Sequence, residues 1–167
     1  MTADGKDKLC VGWREWVSLP ELGVKAIKVK VDTGARTSAL HAEYVRYVRR
    51  GGKRMVRFVV NPVQRSVHGQ VEAVAPLVGK RHVKSSSGHI EERPVIRTRM
   101  QLDGDLFDIE LTLTSRDQMG FRMLVGRQAI RGHAVVDPGR SYLTEQSKKI
   151  RRKKRRERAR KAAAEAE

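Results

Sequence analysis

Cysteine, aromatic side chains and long apolar runs are scarce in this sequence of 167 residues. A single cysteine, Cys10, excludes an internal disulfide framework and a zinc site built from several cysteines. No apolar run approaches the roughly 20 residues that a membrane-spanning helix needs, and the N-terminal stretch MTADGKDKLC lacks the apolar core of a secretory signal. We therefore expect a cytoplasmic protein with one domain, preceded by a flexible N-terminus over residues 1–7.

Sequence motifs for metal and nucleotide chemistry are also missing. Zinc hydrolases typically carry histidine and carboxylate ligands at helical spacing, as in HExxH. The five histidines show no such pair; they are His41, His68, His82, His89 and His133. A phosphate-binding loop is absent as well. The residues therefore predict a protein that needs no metal and no cofactor.

Positive charge is abundant and unevenly spread. Lys and Arg number 36 against 19 Asp and Glu, which gives a formal net charge of +17. Residues 144–167 hold eleven Lys or Arg and four Glu, a net charge of +7, so residues 1–143 carry the remaining +10. A field of this sign favours polyanions, which include RNA, an acidic lipid surface and an acidic peptide. Charge alone does not choose among them.

Short apolar runs separated by turn signals predict a mostly β domain over residues 8–143. In residues 27–31, apolar side chains alternate with lysines, which is the pattern of a strand with one buried face. The paired glycines at 51 and 52, and the Asp103–Asp105 segment, predict hairpin turns. The segment RQAIRG, residues 127–132, predicts a short helical turn.

The composition changes abruptly after residue 143. Residues 144–167 are rich in basic residues and helix formers, but Ile150 is their only large apolar side chain. No face can then dock firmly onto a core, so we expect a disordered or weakly helical tail. Two roles remain open for this tail, a solvated charged extension or a tether to RNA or ribosomes.

A candidate catalytic motif follows the strand around residue 29, where Asp32 begins the sequence Asp-Thr-Gly-Ala. A carboxylate at the end of an apolar strand must be solvated, paired or used in chemistry. A carboxylate that activates water has to be held rigidly among hydrogen-bond donors, and a nearby glycine lets backbone N–H groups approach it. A second motif stands at residues 123–128, where the apolar run MLV precedes Gly126, Arg127 and Gln128.

These two motifs, in this order, resemble the retroviral-type aspartic proteases. The stretches KVDTGARTSALHA, VKSSSGHIEERPVI, LTLTSRDQMGFRMLVGRQAI and VVDPGRSYL narrow the resemblance to a bacterial family named "ATP-dependent zinc proteases". That family is better described as retropepsin-like, and RimB exemplifies it. The resemblance covers residues 8–143 and implies an all-β closed barrel, with one domain per subunit, that is active as a homodimer. It also implies the substrate, a poly-glutamate tail that a RimK-type ligase adds to a ribosomal protein.

One Asp-Thr-Gly motif supplies half of such a site. Asp117 and Asp137 do not lie in a similar motif, so we expect Asp32 of two copies to meet across a twofold axis. Two close carboxylates share one proton, so one takes a proton from the attacking water while the other donates toward the scissile carbonyl. Thr33 is expected to brace the two loops across the interface, and Gly34 to allow close backbone approach.

Three residues near the motif, Ala35, Gly126 and Arg127, are expected to be structural. In the retroviral enzymes an acidic residue follows Asp-Thr-Gly-Ala and pairs with the arginine of the Gly-Arg segment, but here that position is Arg36. Arg127 must therefore find another partner. Arg36 is expected to bind substrate carboxylates, with a solvent-facing arginine as the alternative.

The segment KSSSGHIEER, residues 84–93, lies where related folds place the flap that covers substrate. Lys84, His89 and Arg93 are expected to contact glutamate side chains, with a merely exposed polar hairpin as the alternative. Ser38 and His41 would suggest a serine hydrolase, but no strand-turn-helix nucleophile elbow surrounds Ser38.

The sequence thus predicts a homodimeric aspartic endopeptidase that acts on an acidic substrate. It predicts no membrane partner, and it leaves a ribosome or RNA contact through the basic tail open beside the solvated extension. The principal alternative is a non-catalytic ribosome- or RNA-binding module that keeps the fold. A protease of broad specificity that acts on another acidic partner is a further alternative.

Overall fold

The computed structural model describes residues 7–85, 87–115 and 120–166. Most of the predicted flexible N-terminus lies outside these ranges, as do Asp117 and Ser86 of the predicted flap. The strands are β1 (Leu9–Gly12), β2 (Arg14–Leu19), β3 (Val24–Asp32), β4 (Ser38–His41), β5 (Glu43–Arg50), β6 (Lys53–Val60), β7 (Val71–Lys84), β8 (Ile90–Leu102), β9 (Asp105–Thr114), β10 (Met123–Gly126) and β11 (Ala134–Asp137). The helices are a 3₁₀ turn (Pro20–Leu22), α1 (Arg127–Ile130) and α2 (Glu145–Glu165).

Six strands close into a barrel in the order β2, β3, β10, β4, β9 and β8. The ring closes because β8 also pairs with β2, where Gln101 lies opposite Ser18. From β8 the sheet continues outward through β7, β6 and β5, all antiparallel. β1 and β11 form a separate parallel pair. The predicted all-β closed barrel is confirmed.

Alternation of apolar and polar side chains decides which face of each strand lines the core. In β3, Ile27, Val29 and Val31 are buried, whereas Lys28 and Lys30 between them are only half-buried. The largest fully buried apolar side chains come from several strands, namely Phe58, Leu19, Ile27, Leu40, Ile96, Met100, Leu111 and Met123. Each such burial stabilises the fold by about 1.5–3 kcal/mol relative to exposure.

The local turns follow the sequence closely. Gly51 and Gly52 join β5 to β6 with φ values of 55° and 77°, in the left-handed region that favours glycine. Asp103 begins the turn from β8 to β9 with φ of 59°. Both predicted hairpins are therefore confirmed, and so is the helical turn after β10, which is α1.

The tail differs from its prediction, because α2 is a continuous helix of 21 residues. Its start is anchored on Glu15 of β2, a carboxylate with 0% exposure. Glu15 accepts four hydrogen bonds, from the backbone N–H groups of Gly12 and Leu143 and from the hydroxyls of Thr144 and Ser147. Buried hydrogen bonds thus dock the helix onto the barrel. The sequence did not predict this docking, because the tail has almost no large apolar side chains.

Further contacts in the first turn of α2 fix its direction. Thr144 caps the helix by accepting a hydrogen bond from the N–H of Ser147 at 3.1 Å. The Ser147 hydroxyl accepts one from the N–H of Trp16 at 2.7 Å. Gln146 and Asp103 exchange two more, each side chain accepting from the other residue's backbone N–H. In the part of the chain that the structure covers, no helix combines the length and apolarity needed to cross a bilayer.

Candidate active site

β10 lies between β3 and β4 and braces the loop that joins them. It pairs in parallel with β3, which places Gly126 opposite Asp32, and antiparallel with β4, which places Met123 opposite Leu40. Because β3 and β4 follow one another in the chain, a strand from much later in the sequence separates them. The Asp-Thr-Gly-Ala and Gly-Arg motifs therefore meet at one end of the sheet.

Asp32 is half-buried at the end of β3 and is oriented by its own loop. Its Oδ1 accepts hydrogen bonds from the N–H of Gly34 at 3.0 Å and from the N–H of Ala35 at 3.2 Å. No described residue donates a hydrogen bond to Oδ2. One oxygen of the carboxylate is thus fixed, and the other is available to a second group.

The Gly-Arg segment holds this loop from the opposite side. The N–H of Arg127 donates to the carbonyl of Ala35 at 2.8 Å, and its Nη1 donates to the carbonyl of Gly34 at 3.0 Å. The partner of Arg127, which the sequence left open, is therefore a loop carbonyl. Gly126 is required by space, since an added Cβ would lie 2.6 Å from the carbonyl carbon and oxygen of Thr37.

Ser38 has a bracing role that the sequence did not predict. Its hydroxyl accepts a hydrogen bond from the N–H of Gly126 at 3.0 Å, and its carbonyl accepts one from the hydroxyl of Thr112 at 3.1 Å. The residue is 2% exposed. A buried hydroxyl that holds a backbone N–H is a structural group rather than a nucleophile, so nothing here favours a serine hydrolase.

A cleft of about 680 Å³ opens beside the Asp32 loop, and we call it the arginine cleft. Its lining includes Thr33, Arg36, Arg127, Gln128 and Arg131, with apolar residues of α1 and β11. Arg131 was not predicted. It follows Arg127 by four positions, which puts both side chains on one face of a helical turn, and that spacing could have indicated it. Three guanidinium groups give the cleft a strong positive charge.

The flap residues form the end of the hairpin between β7 and β8. Lys84 and His89 are exposed there, and the N–H of Ser85 donates to the carbonyl of His89 at 2.8 Å. Arg93 differs from its prediction, since it is 5% exposed and its Nε lies 2.9 Å from Glu91. Alternation along β8 turns Arg93 to the covered face of the hairpin, where it is not available to substrate. None of these three predicted contacts lines the arginine cleft.

Metal-ligating side chains do not gather in groups of three or more within residues 7–85, 87–115 and 120–166. His41 and His82 each lie 3.6 Å from one carboxylate, Glu43 and Glu92 respectively. Cys10 is exposed on β1.

Curated relatives match most of this chain. It is 44% identical over 136 residues to a protein named "Probable alpha-L-glutamate ligase" from Shewanella halifaxensis, and 46% identical over 131 residues to one of the same name from Desulfotalea psychrophila. These alignments cover 81% and 78% of this chain but 30% and 28% of the relatives. The chain therefore spans less than one third of the length of the curated relatives it matches.

The fold also occurs in a solved structure, the crystal structure of protein Lpg0085 from Legionella pneumophila, which is described as having unknown function. It superposes with a TM-score of 0.70 at 27% identity, covering 83% of this chain and 100% of that chain. A family model described as "Retropepsin-like aspartic endopeptidase RimB" matches residues 10–147. That range includes the Asp32 loop, its Gly-Arg brace and the docked first turn of α2. The chain belongs to the RimB-like family of retropepsin-like aspartic endopeptidases.

Proposed function

We propose that this chain is an aspartic endopeptidase that works as a homodimer and hydrolyses peptide bonds in glutamate-rich peptides. The observation that carries the proposal is the setting of Asp32. Two backbone N–H groups donate to one oxygen of its carboxylate, and its loop lies beside a cleft lined by three arginines. A rigid carboxylate with one available oxygen suits the activation of water. The guanidinium groups suit the recognition of substrate carboxylates.

The second acid of the catalytic pair comes, in this proposal, from Asp32 of a second copy. The described hydrogen bonds to the Asp32 carboxylate come from backbone N–H groups of its own loop. With one proton shared by the pair, one carboxylate takes a proton from water as the water oxygen bonds to the carbonyl carbon. The other gives its proton to the carbonyl oxygen. The C–N bond then breaks as the leaving nitrogen gains the proton that the first carboxylate took from water, and the second carboxylate takes a proton back from a hydroxyl of the intermediate. Thr33, exposed next to Asp32, is proposed to brace the paired loops.

Substrate carboxylates are proposed to bind in the arginine cleft. Arg36 is exposed there, and Arg131 lies on the same wall as Arg127. Nη1 of Arg127 is already engaged by the carbonyl of Gly34, so the other two arginines supply most of the recognition. Lys84 and His89, both exposed at the end of the flap hairpin, are proposed to add contacts when the flap covers the substrate.

The names of the relatives support a glutamate-rich substrate. Proteins called probable alpha-L-glutamate ligases contain a segment similar to this chain within a much longer polypeptide. An enzyme that attaches glutamate and a peptidase that removes glutamate act on the same chemical group. This link supports our further proposal that the substrate is a poly-glutamate tail added to a ribosomal protein by a RimK-type ligase.

A peptide that ends in several glutamates tests the proposed activity. Wild type and Asp32→Asn are incubated with it, and the products are followed by mass spectrometry. We expect wild type to shorten the peptide and Asp32→Asn to leave it intact. Asp137→Asn is a matched control, because Asp137 also ends a strand and also accepts a hydrogen bond from a glycine N–H two positions later, that of Gly139, but does not lie in the Asp-Thr-Gly motif. Equal shortening by wild type and Asp32→Asn would exclude Asp32 as the catalyst.

Subunit mixing tests the proposed dimer. When equal amounts of wild type and Asp32→Asn exchange subunits, half of the wild-type chains enter mixed dimers with one carboxylate. Activity should then fall to about half of that given by the same amount of wild type alone. A monomeric enzyme would keep its full activity in the mixture.

Recognition of the substrate charge is tested with a second peptide, in which glutamine replaces each of the terminal glutamates. Wild type should not shorten it, and Arg36→Gln should raise KM for the glutamate peptide with a smaller effect on kcat. If both peptides were cleaved equally, the arginine cleft would not set the specificity.

A further inference from the structure

A second cleft, of about 600 Å³, lies between α2 and the barrel strands β2 and β3, and we call it the helix cleft. It is lined by Trp16, Lys28, Tyr142, Lys148, Arg151, Arg152, Lys154, Arg155 and Arg158. No carboxylate belongs to this lining among the described residues, and none of these residues lines the arginine cleft. The helix cleft is thus a separate basic site.

Most of the positive charge in the helix cleft is uncompensated. Lys148 and Arg152 contact Glu145 at 2.8 and 3.8 Å. The other five cations, Lys28, Arg151, Lys154, Arg155 and Arg158, form no ion pair with any carboxylate that the structure describes. Burial, followed by the charge of Arg14, lowers the pKa of Lys28. An anion seated in the cleft would relieve this repulsion.

Two aromatic rings stand among these cations. Nζ of Lys154 lies 4.8 Å from the centroid of Trp16, and the guanidinium carbon of Arg151 lies 4.4 Å from that of Tyr142. Tyr142 has φ of 56°, a conformation that side-chain-bearing residues rarely adopt. Its N–H donates to the carbonyl of Arg14 at 3.0 Å, which fixes this strained residue at the edge of the cleft.

The wall formed by α2 is rigidly placed rather than a loose extension. The buried contacts of Glu15 with Thr144 and Ser147 fix the first turn of the helix against β2. The cleft-lining positions then recur along one side of α2 from Lys148 to Arg158, a span of about 15 Å at the usual helical rise. The basic side chains of α2 and the two aromatic rings are therefore held at fixed positions along one open groove.

We propose that the helix cleft binds single-stranded RNA, with its cations on phosphates and with a base taking the place of Lys154 on the ring of Trp16. The ring of Tyr142 keeps the guanidinium groups of Arg14 and Arg151 beside it. Grooves that bind single strands combine positive charge along the backbone with aromatic faces on which bases stack. Glutamate side chains carry the same sign of charge but have no aromatic ring that could stack on Trp16. The ring of Trp16 therefore favours RNA over an acidic peptide.

Two triple variants of α2 test whether the cleft itself binds RNA. The cleft variant carries Lys154→Gln, Arg155→Gln and Arg158→Gln. The control variant carries Lys149→Gln, Arg156→Gln and Arg160→Gln, which remove the same charge from the same helix but lie outside the lining. Binding of a fluorescein-labelled oligouridine of about twelve nucleotides is followed by anisotropy, and circular dichroism verifies that each variant keeps its helix.

The cleft variant should bind the oligouridine at least about tenfold more weakly, and the slope of log K against log salt should fall by about 2 as three phosphate contacts are lost. The control variant should stay within about threefold of wild type. Equal weakening by the two variants would overturn the proposal, because binding would then follow net charge alone.

Tryptophan fluorescence and competition test the nature of the ligand. The chain has two tryptophans, so Trp13→Phe leaves Trp16 as the only one, and oligouridine should quench its emission through stacking. Unchanged emission at saturating oligouridine would contradict stacking on Trp16. A poly-glutamate peptide of equal length that displaced oligouridine at a lower concentration would overturn the RNA assignment and make this an acidic-peptide site.

Discussion

Two acidic residues on neighbouring strands have opposite surroundings. Glu15 on β2 is fully buried, and both of its oxygens are occupied by four donors. Asp32 on β3 is half-buried, and the two donors that hold it bind the same oxygen. Both carboxylates accept a hydrogen bond from the N–H of a glycine, but Asp32 stands next to Thr33, which lines the arginine cleft.

The comparison separates a structural carboxylate, Glu15, from Asp32, whose surroundings fit the catalytic role proposed for it. A buried acid that is saturated with donors holds chain segments together and has no position left for a substrate or water. An acid whose hydrogen bonds all go to one oxygen is oriented, and its other oxygen can still bind water or substrate. Burial and hydrogen bonding therefore distinguish Glu15 from Asp32, whereas the carboxylate that both carry does not.

The largest effect is expected at Glu15. Glu15→Ala leaves the N–H groups of Gly12 and Leu143 and two buried hydroxyls without their acceptor, and each loss costs about 1–3 kcal/mol, so the free energy of unfolding should fall by about 4 kcal/mol or more. Glu15→Gln keeps one oxygen and should lose about half as much. Urea unfolding measures both. A loss below about 1 kcal/mol for Glu15→Ala would show that the buried network does not hold the fold.

Two deletions test whether the first turn of α2, which contacts Glu15, stabilises the fold. Removing residues 144–167 takes away Thr144 and Ser147, which supply two of the four hydrogen bonds to Glu15, and we expect a loss of about 2–4 kcal/mol in the free energy of unfolding. Removing residues 149–167 keeps the docked turn and should cost less than about 1 kcal/mol. Thermal unfolding compares the two. Equal stability of both deletions would mean that the first turn of α2 contributes nothing.

At the Asp32 loop the expected weak point is Gly126. Gly126→Ala places a methyl group 2.6 Å from the backbone of Thr37, so the loop has to shift, at a cost of about 1–3 kcal/mol in stability. A displacement of this kind should also lower kcat for a glutamate peptide by about 100-fold.

Gly79→Ala is the matched control for Gly126→Ala, because no atom lies within 4 Å of the Cβ it would add. Its activity and unfolding curve should stay close to those of wild type. Full activity of Gly126→Ala would show that the close approach of the two motifs is not needed.

The smallest effect is expected from Ala35→Ser. The N–H of Ala35 already donates to Oδ1 of Asp32, and a serine hydroxyl at this position would add a donor for the charged form of the proposed catalytic pair. The optimum of the pH–rate profile should therefore move downward. An optimum that stayed in place or rose would count against a site governed by donors to the carboxylate.

The Asp32 loop was readable from the sequence because its own determinants are local, whereas its meeting with Arg127, 93 positions away, was expected from the resemblance to the retroviral-type proteases. An apolar strand, an acid and a glycine stand side by side, and a second glycine marks the strand that braces them. Arg93 was misjudged because the sequence does not show which face of the flap hairpin is covered.

The docking of α2 was not readable for a different reason. Glu15 bonds to residues 128, 129 and 132 positions away, and no local pattern marks these pairs. The composition of residues 144–167 offered almost no apolar side chains, so a hydrophobic criterion could only predict a detached tail. Hydrogen bonds to a buried acid replaced the missing apolar face.

The insertion of β10 between β3 and β4 also bears on biosynthesis. Arg127 and the carbonyl of Gly34 that it holds are 93 positions apart. In a chain growing on the ribosome, the Asp32 loop is therefore synthesised long before β10, the strand that braces it. Contacts between residues so far apart in the sequence form late in folding. Until β10 has been made, the Asp32 loop therefore lacks the hydrogen bonds from Arg127 to the carbonyls of Gly34 and Ala35 that hold it in the finished barrel.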